Sequence, residues 1–208
     1  MAYWALIFLL ASSVIVNATN FEGEALMAQR EKLVDPSNVL ASWDSEFADP
    51  CQWFHVHCND VSSVISLDLG DVGLSGTLVP ELGSLGSLQR LYFYNNNLSG
   101  GIPEELGQLK NLAVLELENN SLTGVIPPSL ATIQPLCSLN LSNNKLTGNV
   151  PQGLLNKAAS GTLRLDLSNN KLTGIVPQGL LNKAASGALR LNVTGNMIPS
   201  PPRKLGRA

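Results

Sequence analysis

A right-handed α/β solenoid, closed at its front by a disulfide-stapled helical cap, is the fold this sequence predicts. Three observations predict it: one motif recurs at a fixed period through most of the chain, an amphipathic segment precedes the first copy, and two cysteines join the two parts.

The motif is L-x-L-x-x-N-x-L. It reads LELENNSL at 115–122, LNLSNNKL at 139–146 and LDLSNNKL at 165–172. LYFYNNNL (91–98) carries Phe93 for one leucine, LDLGDVGL (67–74) carries Val72 at the asparagine position, and LNVTGNMI (191–198) is the weakest copy. The anchor positions 72, 96, 120, 144, 170 and 196 set a period of 24 residues three times and 26 twice. A period in this range marks stacked units, none of which buries its own apolar face. In L-x-L, a short strand, the leucines point inward and the residue between them outward. The asparagine stands where the chain leaves the strand, and its amide can satisfy turn groups that stacking would otherwise bury unpaired. Glycine, an apolar residue and proline then shape a return leg, closed by Leu106 and Leu109 in one copy and Leu130 and Ile133 in the next. The repeats, about six, are assigned to 61–198.

Residues 141–166 and 167–192 differ only at 149/175, 162/188 and 166/192. Cores tolerate apolar swaps of similar volume, so packing does not require such identity, and a tandem duplication explains it. Both copies carry two extra residues in the outer leg. They place Thr162 or Ala188 where earlier repeats begin with Leu88, Leu112 and Leu136, so these late coils are expected to pack less well.

The first coil needs a lid, or its leucines face water. Within EGEALMAQREKLVDP, Leu26, Arg30 and Leu33 recur at helical spacing, and the helix is expected to stop at Asp35-Pro36. The cap is assigned to 19–60. Ahead of it, Ala5–Val16 is apolar but too short for a membrane span of about 18 residues, and the first charge is Glu22. This reads as a leader over 1–18, removed after Ala18, although it lacks the usual basic residue. No further membrane span is expected, and residues 199–208 form a proline-rich basic tail. The chain is therefore expected to be secreted. In an oxidising compartment Cys51 and Cys58 suit a disulfide better than a metal site with His55 and His57, so no metal is expected. Cys137 remains as an odd thiol, read as a small, partly buried residue.

The L-x-G-x-I-P signature resembles the plant-specific subclass of leucine-rich repeats, which implies a twisted superhelix with a second short strand after the asparagine. The stretches EGEALMAQREKLVDPSNVLASWD, DPCQWFHVHCN and VISLDLGDVGLSGTLVPELGSL together resemble the ectodomain of the somatic embryogenesis receptor kinases, plant co-receptors of this type. The similarity is close over 22–135. It implies that the cap loop and the inner face of the first repeats touch ligand and principal receptor. Phe54 and His55 match the cap-loop pair, and Tyr94 matches an inner-face tyrosine; Arg90 stands where the family has another tyrosine. The chain runs to MIPSPPRKLGRA with no Gly-rich nucleotide loop, so a kinase-less form is expected.

Outward strand positions form the binding surface of a solenoid. They are Ser66, Asp68 and Gly70, then Arg90, Tyr92 and Tyr94, then Val114, Glu116 and Glu118, then Ser138, Asn140 and Ser142. Rigid aromatics supply contact area at little entropic cost, so Phe54, His55, Arg90, Tyr92, Tyr94, Glu116 and Glu118 are the candidate protein-binding residues. Asn97, Asn119, Asn140 and Asn192 head N-x-S/T sequons and are candidate glycan sites. Glycans at Asn140 and Asn192 would obstruct the later repeats and leave the cap and first three open. The net charge of −3 and the absence of a basic run argue against nucleic acid. No catalytic constellation is visible, so neither enzyme activity nor a cofactor is expected. The expected partner is a plant receptor kinase ectodomain or a secreted ligand, in a heteromeric complex serving signalling or defence. The alternative is an inhibitor of pathogen wall-degrading enzymes such as polygalacturonases.

Overall fold

The computed structural model describes residues 20–44 and 49–199; the expected leader and the tail beyond Pro199 lie outside them. Helix α1 (Phe21–Glu31) opens at Asn20, whose side chain accepts the Gly23 N–H at 3.1 Å. Glu22 and Glu24 in the first turn and Arg30 in the last oppose the helix dipole. The helix ends short of Asp35-Pro36, and Leu33 leaves it to form β1 (Leu33–Val34), paired antiparallel with Ser75 and Gly76. Sheet pairing far along the chain decides that boundary. Gly76 has φ +113°, and a Cβ there would lie 2.0 Å from the Lys32 carbonyl oxygen, so only glycine allows this close approach. The Asp35 carboxylate accepts the N–H groups of Val39 and Leu40 and turns the chain.

The cap is bolted to the first coil by polar groups as well as by packing. Gln29 is fully buried; its amide donates to the Thr77 carbonyl at 2.8 Å and accepts from Val79 N–H at 3.1 Å. Glu22 accepts the Val64 N–H. Trp43 and Trp53 stack at 5.6 Å within the core. Cys51 and Cys58 are bonded, S–S 2.01 Å, as expected, and β2 (Val56–Cys58) follows.

The first coil carries β3 (Val64–Asp68) and β4 (Ser75–Thr77), the second β5 (Arg90–Tyr92) and β6 (Asn97–Ser99), and the third β7 (Val114–Glu116). The fourth carries β8 (Ser138–Asn140), β9 (Thr147–Asn149) and helix α2 (Gln152–Ala159). The fifth carries β10 (Arg164–Asp166), β11 (Lys171–Thr173) and helix α3 (Gln178–Ala185), and β12 (Leu191–Asn192) begins the last. One seven-stranded sheet runs β2-β3-β5-β7-β8-β10-β12, parallel except for the β2–β3 pair. The second short strand implied after the asparagine is present as β4, β6, β9 and β11. Return legs of the 24-residue coils make 3-10 turns at Pro80–Ser84, Glu104–Gln108 and Pro128–Thr132; the two added residues convert that turn into an α-helix.

Behind the sheet lies one continuous core from Ala25 to Leu191, including Leu106, Leu109, Leu130 and Ile133. The anchor asparagines stitch it. Asn96 donates to the carbonyls of Leu69, Phe93 and Tyr94 and accepts the Leu74 N–H, and Asn120, Asn144, Asn170 and Asn196 repeat the pattern. Each amide therefore serves backbone groups of two coils, and at Asn144 and Asn170 it does so in a buried setting.

Two expectations need correction. Thr162 does not leave the fourth coil loosely packed: helix α2 delivers Leu163 one residue later, and Leu163, Leu154, Leu155 and Ala158 are all buried. Cys137 is exposed rather than partly buried, because it lies just before β8 on the open side, with its N–H and thiol on the Ala113 carbonyl.

Candidate binding face

Parallel pairing aligns outward side chains into rows that cross the strands. Ser66, Arg90, Val114, Ser138 and Arg164 form one row. Asp68, Tyr92, Glu116, Asn140, Asp166 and Asn192 form the next. Beyond the strand ends, Gly70, Tyr94 and Glu118 continue the pattern, since Asp71 N–H donates to the Tyr94 carbonyl and Asn95 N–H to the Glu118 carbonyl. The structure thus brings Arg90, Tyr92, Tyr94, Glu116 and Glu118 onto one face. Tyr92 and Tyr94 meet edge to face at 6.3 Å.

The cap loop borders this face. The His55 carbonyl accepts the Asp68 N–H at 2.9 Å, which fixes the loop against β3. Phe54 is clamped through both backbone groups: its N–H donates to Ser42 Oγ at 2.8 Å, and its carbonyl accepts Trp43 Nε1–H at 2.9 Å. Its ring is 68% exposed, so the backbone is fixed while the side chain stays available. His55 is half-buried with φ +71°, a conformation rare for a non-glycine residue. His57 is exposed on β2, and both cysteines are consumed by the disulfide.

Carboxylates dominate the electrostatics around the two tyrosines. The Tyr94 hydroxyl is held above its ordinary pKa first by Asp68, then by burial and by Asp71, Glu116 and Glu118. For Tyr92 burial leads, reinforced by Glu116 and Asp68 and opposed by Arg90. The Glu118 carboxyl is pushed up by burial first, with Glu116 and Asp166 adding to it against a backbone hydrogen bond and Arg164. Its Oε2 is enclosed and has no hydrogen-bond partner among the described residues.

Sequence reasoning missed Asp166 and Arg164, which extend the rows into the fifth coil. It also missed an outer line of amides, in which Asn119 donates to Asn95, Asn143 to Asn119 and Asn169 to Asn143 at 2.6–2.7 Å. These four residues hold φ of 54–55°, which asparagine tolerates best after glycine. The signal was present as N-N dipeptides at 95, 119, 143 and 169. Of the sequon asparagines, Asn97 is exposed on β6, whereas the Asn119 amide is held in this line. Asn140 accepts the Ser142 N–H and the Asn192 amide donates to Asp166, both on the sheet face.

Known proteins carry the same architecture. Residues 19–59 match the leucine rich repeat N-terminal domain, and 87–109, 111–133, 135–156 and 163–182 match the leucine rich repeat. Leucine-rich repeat protein 2 of Arabidopsis thaliana is 50% identical over 93 residues, covering 41% of this chain and 43% of that protein. The chain therefore spans less than half the length of that relative. Among solved structures, the BIR2 ectodomain from Arabidopsis thaliana is 34% identical, with a TM-score of 0.73 over 87% of this chain and 95% of its own. A chain of the BIR3–SERK2 complex from the same plant is 32% identical, with a TM-score of 0.72 over 86% and 95%.

Proposed function

The chain belongs to the plant leucine-rich-repeat proteins that carry an N-terminal repeat cap, and from that premise we propose that it is a secreted, non-catalytic binding module. It takes a receptor ectodomain or an apoplastic ligand on its front three coils, through Phe54 and His55 of the cap loop and Arg90, Tyr92, Tyr94, Glu116 and Glu118 of the sheet. The observation that carries this reading is a backbone-clamped, exposed Phe54 in the loop held against β3, with an edge-to-face tyrosine pair on β5, the next strand along. Rigid aromatics on a fixed backbone lose little entropy on binding and serve as interface anchors. A solved relative was crystallised as a BIR3–SERK2 complex, so a fold of this kind takes protein partners on its own scale. Glycans at Asn140 and Asn192 would stand on the rear half of the sheet face, and one at Asn97 on the second sheet, leaving the front half open.

Cross-linking the secreted chain in plant extracellular fluid, followed by mass spectrometry, tests the reading. Tyr92→Ala with Tyr94→Ala is expected to lose the partner that the wild type captures, while the disulfide and thermal unfolding stay as they are. Equal capture by the double variant would overturn the assignment of the face.

A further inference from the structure

The front of the sheet face is chemically lopsided. In its central row Tyr92 is flanked in register by Asp68 and Glu116, and Asp166 follows further along. Neighbouring strands are about 4.8 Å apart, so a positive group resting on the Tyr92 ring would have a carboxylate column on each side at about that spacing. One row over, the Tyr94 ring lies so close across Gly70 that a Cβ there would fall 2.3 Å from ring atoms. The ring is thus laid over the first coil's backbone, on the Asp68 side, while Glu118 continues the same row on the other side of Tyr94. The nearest arginine, Arg90, lies in the row on the other side of Tyr92, with Arg164 further along that row.

We propose that the occupant of this face is an extended, basic peptide segment of the partner, whose arginine or lysine side chains stack on Tyr92 and Tyr94 and donate to Glu116 and Glu118. The proposal rests on the binding reading above and adds the chemical class of what is bound. Charge complementarity selects the occupant. A cation on an aromatic ring gains from the ring's quadrupole, and a guanidinium reaching the solvent side of a half-buried carboxylate adds charge-assisted hydrogen bonds. The field at Tyr94 has the matching sign, since all four charged groups that raise its pKa are carboxylates. An acidic segment on the same face would meet Asp68, Asp71, Glu116 and Glu118 with repulsion, which makes the surface selective as well as sticky.

The test uses the intact, disulfide-bonded chain and three labelled decapeptides that alternate serine with arginine, glutamine or glutamate, read by fluorescence anisotropy at low and high salt. The arginine peptide is expected to bind about tenfold tighter than the glutamine peptide at low salt, with the glutamate peptide weakest. Glu116→Gln with Glu118→Gln should remove most of that preference. Glu104→Gln with Glu105→Gln, the same change of charge on a return leg, should leave it in place. Equal binding of the arginine and glutamine peptides would overturn the proposal, as would equal losses from the two double variants. Tyrosine-dependent capture from extracellular fluid with no arginine preference would leave the binding reading standing and defeat the basic occupant alone. Loss of both would defeat the two together.

Discussion

The fourth and fifth coils share the octapeptide QGLLNKAA, and both fold it into a helix of the same length, yet the two helices live in different surroundings. In α2, Leu154, Leu155 and Ala158 are buried; their counterparts Leu180, Leu181 and Ala184 in α3 are only partly covered. Lys157 reaches the carbonyls of Ile133 and Gln134 and is held below its ordinary pKa by burial, whereas Lys183 is exposed. Identical sequence fixes the local helix. The neighbouring coil fixes what that helix contributes, because in a repeat array stability is a sum over interfaces as well as over units.

The comparison breaks most readily at the leucines. Leu154→Ala is expected to cost about 3 kcal/mol, the range for a leucine removed from a tight core, and Leu180→Ala under about 1 kcal/mol, read by urea unfolding of the whole chain. Equal costs would mean that the rear of the fifth coil is covered in solution. A smaller contrast lies in the stitching amides. Asn144→Ala strands four backbone groups in a buried setting and is expected to cost about 2 kcal/mol, against about 1 kcal/mol for Asn196→Ala at the partly exposed end.

Glu118 gives the smallest effect and extends the comparison to the front. Its folded-state pKa lies above the unfolded value, so the fold holds this proton more tightly than the unfolded chain does. Its contribution therefore favours folding at low pH and is lost as pH rises through the unfolded and then the folded pKa. Glu118→Gln should flatten that slope and raise the neutral-pH melting temperature by about 1 °C, a modest gain because the side chain is only half-buried. An unchanged melting profile across pH would show that solvent screens the carboxylate.

Much of this was legible in the sequence, for physical reasons that differ by element. The strands, the buried leucines and the outward rows follow from a two-residue alternation anchored on asparagine, which stacking cannot shift without turning leucines to water. The disulfide was legible from the close spacing of Cys51 and Cys58 together with the expectation of secretion. The end of α1 was not, because Leu33 pairs with Gly76 and nothing near Leu33 announces it. The helices of the late coils were hidden in two extra residues whose effect depends on where Leu163 lands. On the candidate face the residue types could be read from the repeat, but the enclosure of Glu118 and the clamping of Phe54 by Ser42 and Trp43 arise from tertiary neighbours.

The outer line of asparagines has a sense of travel. Each of its three links runs the same way, an amide N–H donating toward the cap to the amide oxygen of the coil before, so the line is head to tail from Asn169 to Asn95. A block of whole coils can be inserted without cutting that queue only if it brings an asparagine to the same place. The copy that carries Asn169 does so, and such growth lengthens the molecule while every member keeps a neighbour to lean on.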